Sequence, residues 1–301
     1  MSWKLLKRFA IVLLLFMDIV FAFFIVQRRR AMMYYEETLI DSAMTVFASS
    51  GLQVDRSLLE AKKHSPYVYT GALTTDTLLE ISEKMADLGY LCSPGDAGGL
   101  SFFGANDTFF FGNDFSFSYK ADADVLMPSE LLDHGEYLGA EPSAHADVLH
   151  TAEAFLHTYS DFSADGQRYR YAFFCDSLYA ADDIYVVRMG RTIDGVPMED
   201  GIDLVISGGA VTAAEGVLAF RAPNAKKTAE NTGIMNILLA EKAYIDTLAD
   251  EDAVYTVSEI SYSYGLYFDA DGTFYLVPLC RVSYQNGDVR TYNFVSGKLY
   301  S

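Results

Sequence analysis

Apolar positions fall along this chain in three rhythms, and each predicts a different kind of element. The first is an unbroken run, Phe9 to Val26, reading FAIVLLLFMDIVFAFFIV with a single charge and flanked by Lys7-Arg8 and Arg28-Arg29-Arg30. A helix through it would rise about 27 Å, close to a bilayer's hydrocarbon thickness, so the run predicts a transmembrane anchor within residues 1–30. It is longer than the apolar region of a cleaved signal, and arginines follow at once, which favours retention. The flanking charges nearly tie, so the positive-inside rule leaves the orientation open.

The second rhythm has a helical period. Leu39, Met44 and Phe47 place a helix over 35–50, stopped by Gly51. Leu78, Ile81, Met85 and Leu88 form one stripe over 75–88, with Thr77 and Glu80 spaced like a capping box and Gly89 after it. Val148, Leu149, Ala152, Phe155 and Tyr159 mark a third helix from a Ser143 cap to Tyr159. Ile234, Ile237, Leu238, Ile245 and Leu248 mark a fourth over about 233–248, after a linker at 223–232.

The third rhythm is short and alternating. Strands are expected at 100–103, 108–111 and 115–119, then at 169–175, 183–189, 203–207 and 210–220, and finally near 254–264, 274–283 and 289–294. Asp194-Gly195, Gly208-Gly209, Asp271-Gly272 and Asn286-Gly287 supply the hairpin turns. Each strand run follows a helix. The expected fold is therefore α+β: an N-terminal transmembrane helix, then repeated units of a helix packed on an antiparallel sheet. The boundaries read as 1–30 for the tip and anchor, 31–135 for the first unit, 136–222 for the second and 223–301 for the third.

Charge sharpens this picture. Of 22 Lys+Arg and 41 Asp+Glu, six bases and one acid lie in the first thirty positions, leaving 16 bases against 40 acids. So acidic a remainder excludes nucleic acid as a partner, because phosphate binding draws its affinity from clustered Lys and Arg. It would also be repelled by anionic headgroups, which leaves contact with the lipid bilayer to the N-terminal helix. Three cysteines, Cys92, Cys175 and Cys280, lack CxxC spacing and read as buried, unpaired thiols.

Candidate chemistry is sparse. His145, His150 and His157 stand five and seven residues apart, not the four of HExxH, so no metal site is expected. Asp269-Ala270-Asp271-Gly272 opens like a calcium loop, but position twelve is Cys280 and the flanks are strand-like. No GxSxG, P-loop or GxGxxG occurs in a fitting context. No catalytic residue, cofactor or metal is assigned, and the chain is expected not to be an enzyme. Two interaction candidates remain. Asp18, at the middle of the apolar run, is costly in lipid and useful against a partner helix. Tyr262, Tyr264, Tyr267 and Phe268 cluster on one expected hairpin, where alternation turns about half of them outward as a patch for a protein partner.

Several segments together resemble the YycI/YycH-type regulatory proteins of Gram-positive bacteria. Trp3 and Lys7 precede Leu15-Phe16-Met17-Asp18-Ile19-Val20-Phe21, similar to that family's W-x-x-x-K-like start and L-D/N-I-F-like anchor centre. Residues 48–55, ASSGLQVD, resemble its passage from helix to strand. Leu276 to Val282 and Tyr292 to Gly297 are similar to its PepSY-like ending, with Cys280 where such endings often carry tryptophan. The resemblance implies a cytoplasmic N-terminus, an extracytoplasmic domain and regulation of a WalK-type sensor histidine kinase in cell-wall homeostasis. A paralogous YycH-type protein is a further implied partner. The alternative is a membrane-tethered cell-envelope enzyme or enzyme inhibitor.

Overall fold

In the computed structural model the described residues are 16–28, 34–60, 67–72, 75–95, 99–132, 135–139, 145–160, 171–217, 225–228, 233–247, 254–269 and 273–300. The helices among them are α1 (16–28), α2 (Glu37–Ala48), α3 (Arg56–Glu60), α4 (Thr75–Asp87), α5 (Pro128–Leu131), α6 (Ala146–Ser160) and α7 (Ile234–Ile245). The first eight strands are β1 (Leu52–Gln53), β2 (Tyr67–Ala72), β3 (Leu91–Pro94), β4 (Leu100–Phe103), β5 (Thr108–Phe111), β6 (Ser116–Lys120), β7 (Glu136–Gly139) and β8 (Tyr171–Ala181). The others are β9 (Ile184–Ile193), β10 (Val196–Ser207), β11 (Ala210–Val217), β12 (Ala225–Thr228), β13 (Tyr255–Phe268), β14 (Thr273–Tyr284) and β15 (Val289–Asn293). The chain is α+β. Its elements group into two compact units drawn from segments far apart in sequence.

Unit 2 comprises Tyr67–Ala229 and Tyr262–Leu279. Its strands run in the order β12-β2-β14-β13-β10-β11-β6-β5-β4-β3, with β9, β8 and β7 continuing from β10. Most pairings are antiparallel, and tight turns set them: Asp194 and Gly195 join β9 to β10, both at positive φ. A type I′-like turn requires that conformation twice, and an Asp-Gly pair adopts it at low cost. One face of this sheet carries the larger core. There Ile81 and Met85 of α4 and Leu149, Ala152 and Leu156 of α6 meet Phe102, Phe109, Phe117, Met189, Ile202 and Leu204. The strands alternate: Val187 and Leu204 join that core, while Val186 and Val205 turn to a smaller one with Leu131 of α5 and Ala213. Full burial of each large apolar side chain contributes about 1.5–3 kcal/mol, so α4 and α6 are held by their stripes.

Unit 1 comprises Met1–Pro66, Glu230–Ser261 and Cys280–Ser301. Here β1 pairs in parallel with the start of β13, Leu52 opposite Tyr255, and α2 packs on α3, α7 and β1. Ile40 and Phe47 are the buried residues of α2, seven positions apart on one face. In α7, Ile234, Ile237, Leu238 and Ile245 are buried in the helical rhythm read from the sequence.

The transmembrane expectation needs correction. Among the described residues no helix is long and apolar enough to cross a membrane. The described part of helix α1 covers 16–28, which at about 1.5 Å per residue is about 20 Å, against about 30 Å of hydrocarbon. A single-pass anchor is therefore not supported, and the localisation built on it, with a cytoplasmic tip and an outward domain, falls with it. Positions 9–15 of the same apolar run lie outside the described residues.

Candidate functional site

Unit 1 contains a cleft of about 500 Å³ lined by Gln27, Tyr34, Tyr35, Glu36, Glu37, Ile40, Arg56 and Glu60. A cavity of this size suits a small molecule. Its walls come from the end of α1, the approach to α2, the first turn of α2 and the two ends of α3. Ile40 is buried, Tyr34 is exposed and Tyr35 is half-buried. Burial raises the Tyr35 hydroxyl's pKa, against the opposing effect of backbone hydrogen bonds at Met235 and Ile234 that tie it to the start of α7.

Among the described residues lining the cleft Arg56 is the cationic side chain, and carboxylates surround it. Its Nε donates to Glu60 at 2.5 Å, its Nη1 donates to Asp41 at 2.5 Å, and its Nη2 stands 3.6 Å from Glu37. The Arg56–Glu60 pair is a one-turn helical contact. The Asp41 contact joins α2 to α3 across fifteen positions. These hydrogen bonds hold the guanidinium well above its ordinary pKa. Among the described residues lining the cleft, three carboxylates (Glu36, Glu37 and Glu60) accompany the Arg56 guanidinium, and Asp41 holds that guanidinium from α2.

Elsewhere in unit 1, Glu241 of α7 is fully buried and accepts from three donors. Tyr284 and Tyr292 donate their hydroxyls, and Arg290 donates Nη1 at 2.9 Å. Burial raises the carboxyl's pKa, while the Tyr284 hydroxyl and Arg290 oppose the rise. Arg290 also lies over the ring of Tyr244 at 4.0 Å, a cation–π arrangement that holds the guanidinium in place.

The interaction residues read from the sequence are dispersed. Asp18 is exposed on α1. Tyr264 belongs to a core, 2% exposed and edge-on to Tyr69 at 5.3 Å, so it presents no outward surface. Phe268 is half-buried and stacked on Phe115 at 5.1 Å, and Tyr262 is half-buried. Tyr267 alone of the four is exposed, its ring 6.3 Å from that of Tyr275. Of these four hairpin aromatics, one tyrosine therefore faces outward, where alternation led to the expectation of about half.

Among the described residues no group of three or more His, Cys, Asp or Glu could hold a metal ion. His145 lies against Tyr185 and His157 edge-on to Phe173. All three cysteines are free, but Cys92 is exposed on β3, contrary to the expectation of burial. Cys280 is buried, and burial pushes its thiol up to about 12.

No family profile and no curated protein matches the chain. Among solved structures it is similar to an uncharacterized protein from Eubacterium rectale, with 14% identity, a TM-score of 0.37, and 79% of this chain and 85% of that chain covered. It is also similar to the C-terminal domain of Bacillus megaterium YpeB, with 12% identity, a TM-score of 0.31, and 76% and 96% covered. Likenesses this distant fix neither family nor function, and the YycI/YycH-type family is not shown by them.

Proposed function

We propose that the chain is a non-catalytic regulator that works by protein–protein contact. A sensor histidine kinase controlling the cell wall is the partner class its sequence resemblance implies. The PepSY-like character expected of its last strands belongs to the same reading. One observation supports it: Phe16, Ile19, Phe21, Phe23, Phe24, Ile25 and Val26 of α1 are all more than half exposed. Contiguous apolar surface of this kind marks an interaction site, and the acidic remainder of the chain makes the contrast sharper. Helix α1 would lay its apolar side chains in a groove of the partner, with Asp18 setting the register.

Co-purification of the full chain with a sensor kinase tests this. Phe23→Ser with Phe24→Ser should lower recovery of the kinase about tenfold, since buried aromatic anchors carry much of such an interface. Asp18→Leu, which keeps the helix and removes its polar group, should lower recovery less. Recovery unchanged in both variants would overturn the reading.

A further inference from the structure

We propose that the unit 1 cleft binds a small organic ammonium ion through its alkyl or aromatic body and its charged head together. The cleft is shaped for both parts. Ile40, Tyr34 and Tyr35 give it apolar and aromatic walls, and tyrosine rings attract a cation through their faces. Glu36, Glu37 and Glu60 line the same opening. Among the described lining residues the cationic side chain is already engaged, because Arg56 is held by Glu60, Asp41 and Glu37. An anion would have to displace one of those carboxylates and then lie among the others. A cation meets Glu36, and shares Glu37, whose side chain remains 85% exposed beside Arg56. The chain's net charge of −19 adds a long-range attraction of the same sign.

The volume favours a small molecule over a protein segment, since about 500 Å³ lies within the range of small-molecule sites. Gln27 of α1 lines the cleft, so occupancy bears on the helix assigned to partner contact. That consequence rests on the proposed function. The binding itself does not.

Calorimetric titration of the full chain with phenethylamine, in the absence of any partner, tests the site. The amine should bind, and its neutral counterpart 2-phenylethanol should bind about tenfold more weakly. Glu36→Gln with Glu37→Gln should weaken the amine about tenfold, with Glu60 and Asp41 left to hold Arg56. Asp182→Asn with Asp183→Asn, an equal charge change at the exposed β8–β9 turn, should leave binding unchanged. Thermal melts of both variants would confirm folding. The proposal is overturned if the two double variants weaken binding equally, which would make the attraction diffuse, or if phenylacetate binds more tightly than the amine. Tighter binding of the peptide acetyl-Gly-Lys-Gly-amide than of phenethylamine would also overturn the small-molecule assignment.

Discussion

Among the described residues each unit buries one charged side chain completely, and the two treat it in opposite ways. In unit 1 the Glu241 carboxylate accepts from Tyr284, Tyr292 and Arg290. In unit 2, Arg191 is equally inaccessible and is paired through Nη2 with Asp200. Its Nε and Nη1, the Asp200 Oδ1 and the nearby Tyr171 hydroxyl find no hydrogen-bond partner among the described residues. Desolvation costs several kcal/mol per buried ion, and only well-directed hydrogen bonds offset it. The contrast teaches that complete burial of a charge does not by itself measure what the charge contributes. The number of groups organised around it does.

Substitutions can break that comparison. Glu241→Leu should have the largest effect, a loss of about 3–5 kcal/mol in urea unfolding, because it strands two hydroxyls and a guanidinium. A loss below about 1 kcal/mol would erase the distinction between the units. Asp200→Leu should cost about 3 kcal/mol, since it leaves Arg191 buried without its partner. Adding Arg191→Met to that variant should restore stability to within about 1 kcal/mol of the parent, because an under-satisfied pair is replaceable by apolar packing. If the double variant stays as damaged as the single one, the unpartnered atoms have contacts beyond the described residues.

Gly71→Ala supplies an uncharged yardstick in unit 2. A Cβ there would collide with the ring edge of Phe274, which is buried opposite it on β14. The expected loss is about 1–3 kcal/mol by thermal unfolding, the ordinary cost of overpacking.

The smallest effect is a pH dependence. Burial raises the Glu241 pKa in the folded state, so between the ordinary glutamate value and the folded one the native protein holds more protons than the unfolded chain. Stability from this group is therefore present below about pH 4.3 and is lost as pH rises toward the folded pKa. Glu241→Gln, which cannot titrate, should melt with a flatter pH profile above that point. A parallel profile would show that the three donors cancel the burial.

Much of this fold could be read from the chain. The stripes over 75–88 and 233–248 became α4 and α7, and the aromatic runs at 100–103 and 108–111 became β4 and β5 with those bounds. Asp194-Gly195 and Gly208-Gly209 marked turns because their conformational demand is local, while Asp271-Gly272 lies outside the described residues. What failed was non-local. The polar stretch Ala225–Thr228 read as linker, yet it is β12, paired residue by residue with Tyr67–Thr70. No pattern within Ala-Lys-Lys-Thr announces that partner. Alternation placed about half the hairpin aromatics outward, but it could not say that Tyr264 was core and Tyr267 exposed. The eighteen-residue apolar run set an expectation that the shorter described helix does not meet. The cleft was invisible for a related reason: Arg56 and Glu60 have helical spacing, but Asp41, Glu37 and Tyr35 reach them only when α2 folds onto α3.

The uneven exposure of the three thiols has a practical corollary. Cys280 is inaccessible and holds its proton to about 12, and burial also raises the pKa of half-buried Cys175. A maleimide dye at neutral pH should therefore react first at Cys92 on β3, so the native sequence already carries a single-position handle for distance measurements.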